Sequence, residues 1–266
     1  MGGRPPMFFH EINPYAPETI VLLHVLFSCS LEWKQVAPKL TEYHLLIPDL
    51  PCHSASKDTC RKDDFSLELA ADHVANMIRQ KAHDGRAHLV GLSTGGFVSL
   101  ELIRKYPDLV NSVFISGAWP FTGVRAAVAK TPRLTYSAVW ALLHSPGYLF
   151  FRASGFKSEY QNEELLTEIK KNGIWDEQRL IEVARADKRI CLVVGGKGHD
   201  HMGEAIQAAN TLRAHSKGGP GSECRVFLVR DAIHAWNLSL PKTFAGGIQA
   251  WLRYQQMPDE FERIPI

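Results

Sequence analysis

Five residues near the middle of the chain, Gly91-Leu92-Ser93-Thr94-Gly95, join a short apolar run to a helical pattern. The run is Ala87-His88-Leu89-Val90, and in the helical pattern Phe97, Leu100 and Ile103 recur until Pro107. A strand that gives way to a helix within five residues belongs to an architecture of alternating strands and helices. A G-x-S-x-G at such a turn holds its serine in a strained backbone conformation at the edge of a sheet. The flanking glycines remove Cβ atoms that would collide with strand and helix. By composition alone such a pentapeptide arises in roughly one chain of this length in ten, so its surroundings must carry the reading.

The surroundings alternate as the junction requires. Met7 to Glu11 reads as a short leading strand, Ile20 to His24 as a second, and Glu32 to Leu40 as a helix ended near Thr41. Tyr43 to Pro48 is a strand, and Phe65 to Ala82 a helix with Leu67, Ala71, Val74 and Ile78 on one stripe. Ser112 to Ser116, Ile190 to Val194 and Arg225 to Val229 complete the strand patterns. This order predicts an α/β fold with a mostly parallel central sheet and helices on both faces. Between Trp119 and Lys188 the alternation stops. Helical periodicity runs through Arg133 to Leu143 and Glu159 to Lys171, broken at Pro132, Ser145-Pro146-Gly147, Gly155 and Gly173. The expected division is therefore an α/β core, 1–118 with 189–266, and a helical insertion over 119–188.

An activated serine needs a base and an acid. His234 follows the Arg225 to Val229 strand at loop distance, and Asp200 lies on the glycine-rich exit from Ile190 to Val194. Asp231 is nearby, but it sits too close to His234 in sequence and in the wrong chain order. His199-Asp200-His201 could be read as metal ligands, but adjacent loop residues lack a third and fourth partner, so no metal site is expected.

Together these segments, with Val21-Leu22-Leu23-His24, Ile47-Pro48-Asp49-Leu50-Pro51-Cys52-His53-Ser54 and His234-Ala235-Trp236, resemble the α/β-hydrolase-fold serine hydrolases from about residue 8 to about residue 253. The likeness is greatest to compact cap-bearing esterases, the hydroxynitrile-lyase and methylesterase group, and small fungal biosynthetic hydrolases. It implies a triad of Ser93, Asp200 and His234. It also implies an oxyanion hole from the backbone N–H groups of Leu26 and Thr94, and a cap over 119–188 roofing a pocket lined by Val25, Trp119 and Trp236. His24 and His53 would stand near the oxyanion loop in structural roles, with most other histidines facing solvent. Two positions depart from the family pattern. His24-Val25 replaces the usual His-Gly, and Pro51-Cys52-His53-Ser54 replaces Pro-Gly-His-Gly or Pro-Gly-His-Ser. Val25 would place a β-branched group beside the reacting carbonyl, as a threonine does in the hydroxynitrile lyases. The leading expectation is an ester, lactone or thioester hydrolase. A lyase or cyclase using the same triad, and a non-catalytic ligand-binding protein of the same fold, are the alternatives.

Composition bounds the partners. The 266 residues, 45% of them hydrophobic, fit one α/β domain with an insertion. Thirty lysines and arginines are interspersed with 28 aspartates and glutamates, so there is no nucleic-acid footprint. No apolar stretch approaches membrane-spanning length, and the first residues lack a signal-peptide core. Five scattered cysteines suggest free thiols in a reducing, cytoplasmic compartment. The expected partner is a small-molecule substrate, with no cofactor, the chain being a monomer or homodimer.

Overall fold

Six of the strand segments are apolar on both faces, which only a sheet covered on two sides can satisfy. The computed structural model, described over residues 5–61, 64–123, 126–127, 131, 137, 176–197, 200–219 and 222–266, arranges them in that way. One eight-stranded sheet has the order β1-β3-β2-β4-β5-β6-β7-β8. Its strands are β1 (Phe9–Ile12), β2 (Thr19–Leu23), β3 (His44–Pro48), β4 (Ala87–Leu92), β5 (Val110–Ser116), β6 (Arg189–Gly195), β7 (Glu223–Val229) and β8 (Glu262–Ile264). β2 to β7 run parallel, while β1 pairs antiparallel with β3, and β8 with β7.

Alternation along the strands splits the core into two layers. Val21, Leu23, Leu89, Val113, Ile115, Ile190 and Leu192 face one layer. It is covered by α1 (Leu67–Lys81), α2 (Thr94–Lys105), α3 (Glu177–Ala184) and α4 (Met202–His215). Ile20, Leu22, Val90, Phe114, Cys191 and Val193 face the other, beneath α5 (Trp236–Ser239) and α6 (Pro241–Leu252). Ser66 caps α1 by accepting from the Leu69 N–H at 3.0 Å, and Leu67, Ala71, Val74 and Ile78 form its buried stripe. No helix among the described residues is long and apolar enough to cross a membrane.

Several expectations need correction. The helix expected over 32–40 is two short 3₁₀ turns, Ser30–Trp33 and Ala37–Lys39. Pro38 has no N–H for a helical bond and would press on the carbonyl one turn earlier, so an α-helix cannot run through it. β8 was not expected at all. The cysteines are not all thiols, because Cys52 and Cys60 are joined by a disulfide. His44 and His88 are buried rather than solvent-facing, each meeting a hydroxyl of a neighbouring strand, Thr19 at 3.1 Å and Ser112 at 2.8 Å. The helices expected over Arg133 to Leu143 and Glu159 to Lys171 lie outside the described residues, with Ser137 the one exception.

Candidate active site

The turn between β4 and α2 places Ser93 at φ 49° and ψ −114°, a backbone strain that its surroundings enforce. Its N–H is held by the Ser116 carbonyl at 2.9 Å, at the end of the neighbouring strand β5. The glycines on either side are there for close approach. A Cβ on Gly91 would lie 2.4 Å from the Gly95 carbonyl oxygen, and one on Gly95 2.1 Å from the Leu23 oxygen. The first turn of α2 therefore sits directly on the end of β2, the strand that leads into His24-Val25-Leu26. Among the described residues neither the Leu26 nor the Thr94 N–H has a hydrogen-bond acceptor. Thr94 also opens α2, where the helix dipole favours negative charge.

Two further strand exits bring acid and base together. His234 Nδ1 lies 2.8 Å from Asp200 Oδ1, and the other oxygen, Oδ2, accepts the Gly195 N–H at 3.0 Å. The Asp200 side chain is 3% exposed, that of His234 34%. Gly117, one residue past the carbonyl that holds Ser93, makes room for this pair at φ +68°. A Cβ there would stand 2.7 Å from His234 Cε1 and 3.2 Å from Asp200 Oδ1. Asp231 is not part of the cluster. Its side chain is 74% exposed and paired with Lys197.

The loop after β2 is anchored from behind. Buried His24 donates from Nδ1 to the Val25 carbonyl at 2.7 Å and accepts the Leu50 N–H on Nε2 at 2.9 Å, which fixes a neutral tautomer. Burial pushes its pKa down to about 4, although the Val25 carbonyl and the Asp49 charge work the other way. His53, edge-on to His24 at 5.1 Å, is lowered to about 3 by burial and by that neighbour. Burial acts to raise the Asp49 carboxyl, but the N–H groups of Ser30 at 2.6 Å and Ala55 at 3.0 Å outweigh it and hold it below its ordinary value. On the other side of the loop, fully buried Glu32 accepts the Val25 N–H on Oε2 at 3.2 Å and the Asn237 amide on Oε1 at 2.9 Å. Burial raises it to about 7 against the Ser28 hydroxyl, those two donors and the His234 charge.

Comparison with known proteins follows the same outline. Residues 18–137 match the family model described as alpha/beta hydrolase fold. An "AB hydrolase superfamily protein" of Gibberella zeae is 31% identical over 271 residues, spanning 97% of this chain and 88% of its own. The chain belongs to the α/β-hydrolase fold family. Lipase 3 of a Moraxella species is 24% identical to this α/β-hydrolase over 208 residues, which is 72% of this chain and 66% of the lipase. The crystal structure of the enol-lactonase from Burkholderia xenovorans LB400 shares the fold with a TM-score of 0.70 at 16% identity, covering 93% of this chain and 96% of that one.

Within this α/β-hydrolase, Ser93, Leu26 and Thr94 lie on neighbouring strand exits, and Asp200 and His234 are in contact. The three residues expected to line the pocket are buried, and most of the insertion expected to roof it lies outside the described residues. Trp236 is fully buried, packs at 4.4 Å on Phe244 and donates from Nε1 to the Ser116 hydroxyl at 3.1 Å. Trp119 is 2% exposed in the layer under α2, and Val25 is 6% exposed in the layer under α6. Two residues that support the site escaped the sequence reading, Glu32 and Gly117. Nothing local marks Glu32, whose partner Asn237 is 205 residues away. Gly117 directly after an apolar strand was a visible signal. His199 lies outside the described residues, among which no three potential ligands group for a metal ion.

Proposed function

We propose that this α/β-hydrolase is a serine hydrolase that cleaves a carboxylic ester, lactone or thioester of a small, largely apolar substrate through an acyl-enzyme. The observation that carries the reading is the 2.8 Å contact of His234 Nδ1 with a buried carboxylate, together with a serine held in a strained turn. The Asp200 contact sets the imidazole tautomer and leaves Nε2 as the basic nitrogen. Nε2 takes the Ser93 proton as Oγ attacks the carbonyl carbon, and Asp200 stabilises the imidazolium that forms. The N–H groups of Leu26 and Thr94 receive the oxyanion, each such donor being worth about 3 kcal/mol in the transition state. Collapse expels the alcohol or thiol with the imidazolium proton, and water then repeats the sequence to free the acid. The lipase among the relatives supports an ester-type substrate.

Intact-protein mass after exposure to a fluorophosphonate tests this directly, because the reagent needs an activated serine and no knowledge of the substrate. One adduct is expected, located on Ser93 and absent from Ser93→Ala, which also loses hydrolysis of aryl esters and thioesters. An adduct on a different serine, or turnover that survives in Ser93→Ala, overturns the assignment.

A further inference from the structure

Glu32 touches neither the serine nor the acid of the proposed triad, yet it ties together the two loops that must act in concert. Its Oε2 holds the Val25 N–H, one residue before the Leu26 donor, and its Oε1 holds the Asn237 amide, three residues after His234. Both Glu32 and Asn237 are completely buried. A carboxylate that accepts from a loop N–H and from the side-chain amide of the helix after His234 ties the two elements together, and a charge in a dry interior acts on neighbouring charges with little screening. We propose that Glu32 is a positioning residue of the hydrolase. It sets the distance between oxyanion loop and histidine loop, and as an anion it favours the imidazolium that His234 becomes when it takes the serine proton.

The proposal rests on the serine-hydrolase reading and adds a second titrating group to it. Among the described residues, the groups whose charge Glu32 feels or influences are His234 on the histidine loop and Cys29 on its own segment, with Asp49 and His24 beyond Cys29. Cys29 is held protonated by burial, and His24 is held neutral by it. Asp49 is held below its ordinary value by its N–H donors, which leaves Glu32 as the group of this cluster that burial raises into the working pH range. Glu32 titrates near 7, inside the range where a histidine base is also switching. An anionic Glu32 raises the proton affinity of His234, and the imidazolium in turn lowers that of Glu32. Activity therefore requires one group to be neutral and the other ionised. The acid limb of the rate profile should then be steeper than a single ionisation.

Glu32→Gln tests the charge while keeping the shape. Its amide oxygen can still accept from Val25, and its NH₂ can donate to Asn237 Oδ1, which has no partner among the described residues, after that side chain turns over. Asn237→Ala tests the bridge from the other end, since Glu32 then loses a bond that favours its charged form and should titrate at higher pH. The measurement is the pH dependence of the fluorophosphonate labelling rate at Ser93, with aryl-ester kcat and KM alongside. For Glu32→Gln the expected result is a limb of unit slope moved down by about half a pH unit or more, and kcat lower by about tenfold with KM within about threefold. If that variant does not fold, Asn237→Ala carries the test through a limb moved to higher pH. A variant that folds and keeps the wild-type profile and kcat overturns the proposal. Labelling of wild type at a site other than Ser93 would overturn the hydrolase reading instead, so the two failures are distinguishable.

Discussion

Replacing Gly117 by alanine would strike the site without altering any group that reacts. The added methyl would stand 2.7 Å from His234 Cε1, 3.0 Å from Nδ1 and 3.2 Å from Asp200 Oδ1. Ordinary contact begins at 3.4 Å, so the imidazole must retreat by about 0.7 Å or the backbone must give. A displacement of this order between reacting groups typically costs about 10²-fold in rate. The cost to stability is smaller. An alanine at φ +68° loses about 1–2 kcal/mol, offset by about 0.4–1 kcal/mol from the stiffer unfolded chain. Gly85→Ala is the control, because Gly85 has a similar φ of +63° and open space around it. Both variants should lose about 1 kcal/mol in urea unfolding, but only Gly117→Ala should lose about 10²-fold in fluorophosphonate labelling and aryl-ester hydrolysis. A folded Gly117→Ala within about threefold of wild-type activity would mean that the imidazole does not work from the observed position.

Three further outcomes are expected. Asp200→Asn should fold and lose about 10⁴-fold in kcat, whereas Asp231→Asn, facing Lys197 in solvent, should stay within about threefold, and the reverse ranking would displace Asp200 as the acid. Acid should weaken the fold, because the unfolded chain protonates His24 and His53 near 6.5 while the folded chain resists to about 4 and about 3. Glu32, raised to about 7, works in the opposite sense between 7 and 4.5. Between pH 7 and pH 5 the buried histidines therefore lose stability while Glu32 gains it, so the acid loss in urea unfolding should be larger in Glu32→Gln than in wild type. An equal loss in the variant would remove Glu32 from the balance. Finally, the Cys52–Cys60 bond closes a short loop and should contribute about 2.5 kcal/mol by restricting the unfolded chain, so reductant should lower unfolding stability by that order, and an unchanged midpoint would refute it.

Where local pattern and burial coincide, the chain could be read directly. β4, β6 and β7 are aliphatic runs, α1 carries both its cap and its stripe, and the elbow spells out its own crowding, so the frame and the serine were legible. The contact between Asp200 and His234 was legible because strand exits in this architecture converge on one edge of the sheet. The failures are long-range. His44 and His88 read as surface residues because the hydroxyls that receive them come from other strands. Trp236 follows the histidine in sequence, and the hydroxyl its indole reaches, that of Ser116, lies 120 residues away where no local pattern announces it. The 32–40 segment has a helical pattern, but Pro38 and the inward pull on Glu32 divide it.

The two departures from the family's glycines turn out to be physically different. Cys52 sits at φ +64°, where a glycine would be at ease and a side chain costs about 1–2 kcal/mol, and the bond to Cys60 offsets that cost at the same residue. Val25 is not in the left-handed region, so no glycine is required there. Its N–H is taken by Glu32, its carbonyl by His24 and the Ser28 N–H, and its side chain lies in the layer with Trp33 and Trp236. Val25 is thus engaged through its backbone in holding the loop that carries Leu26. On the serine-hydrolase proposal, a serine, a base with its acid and two backbone donors are all used by acyl transfer to water.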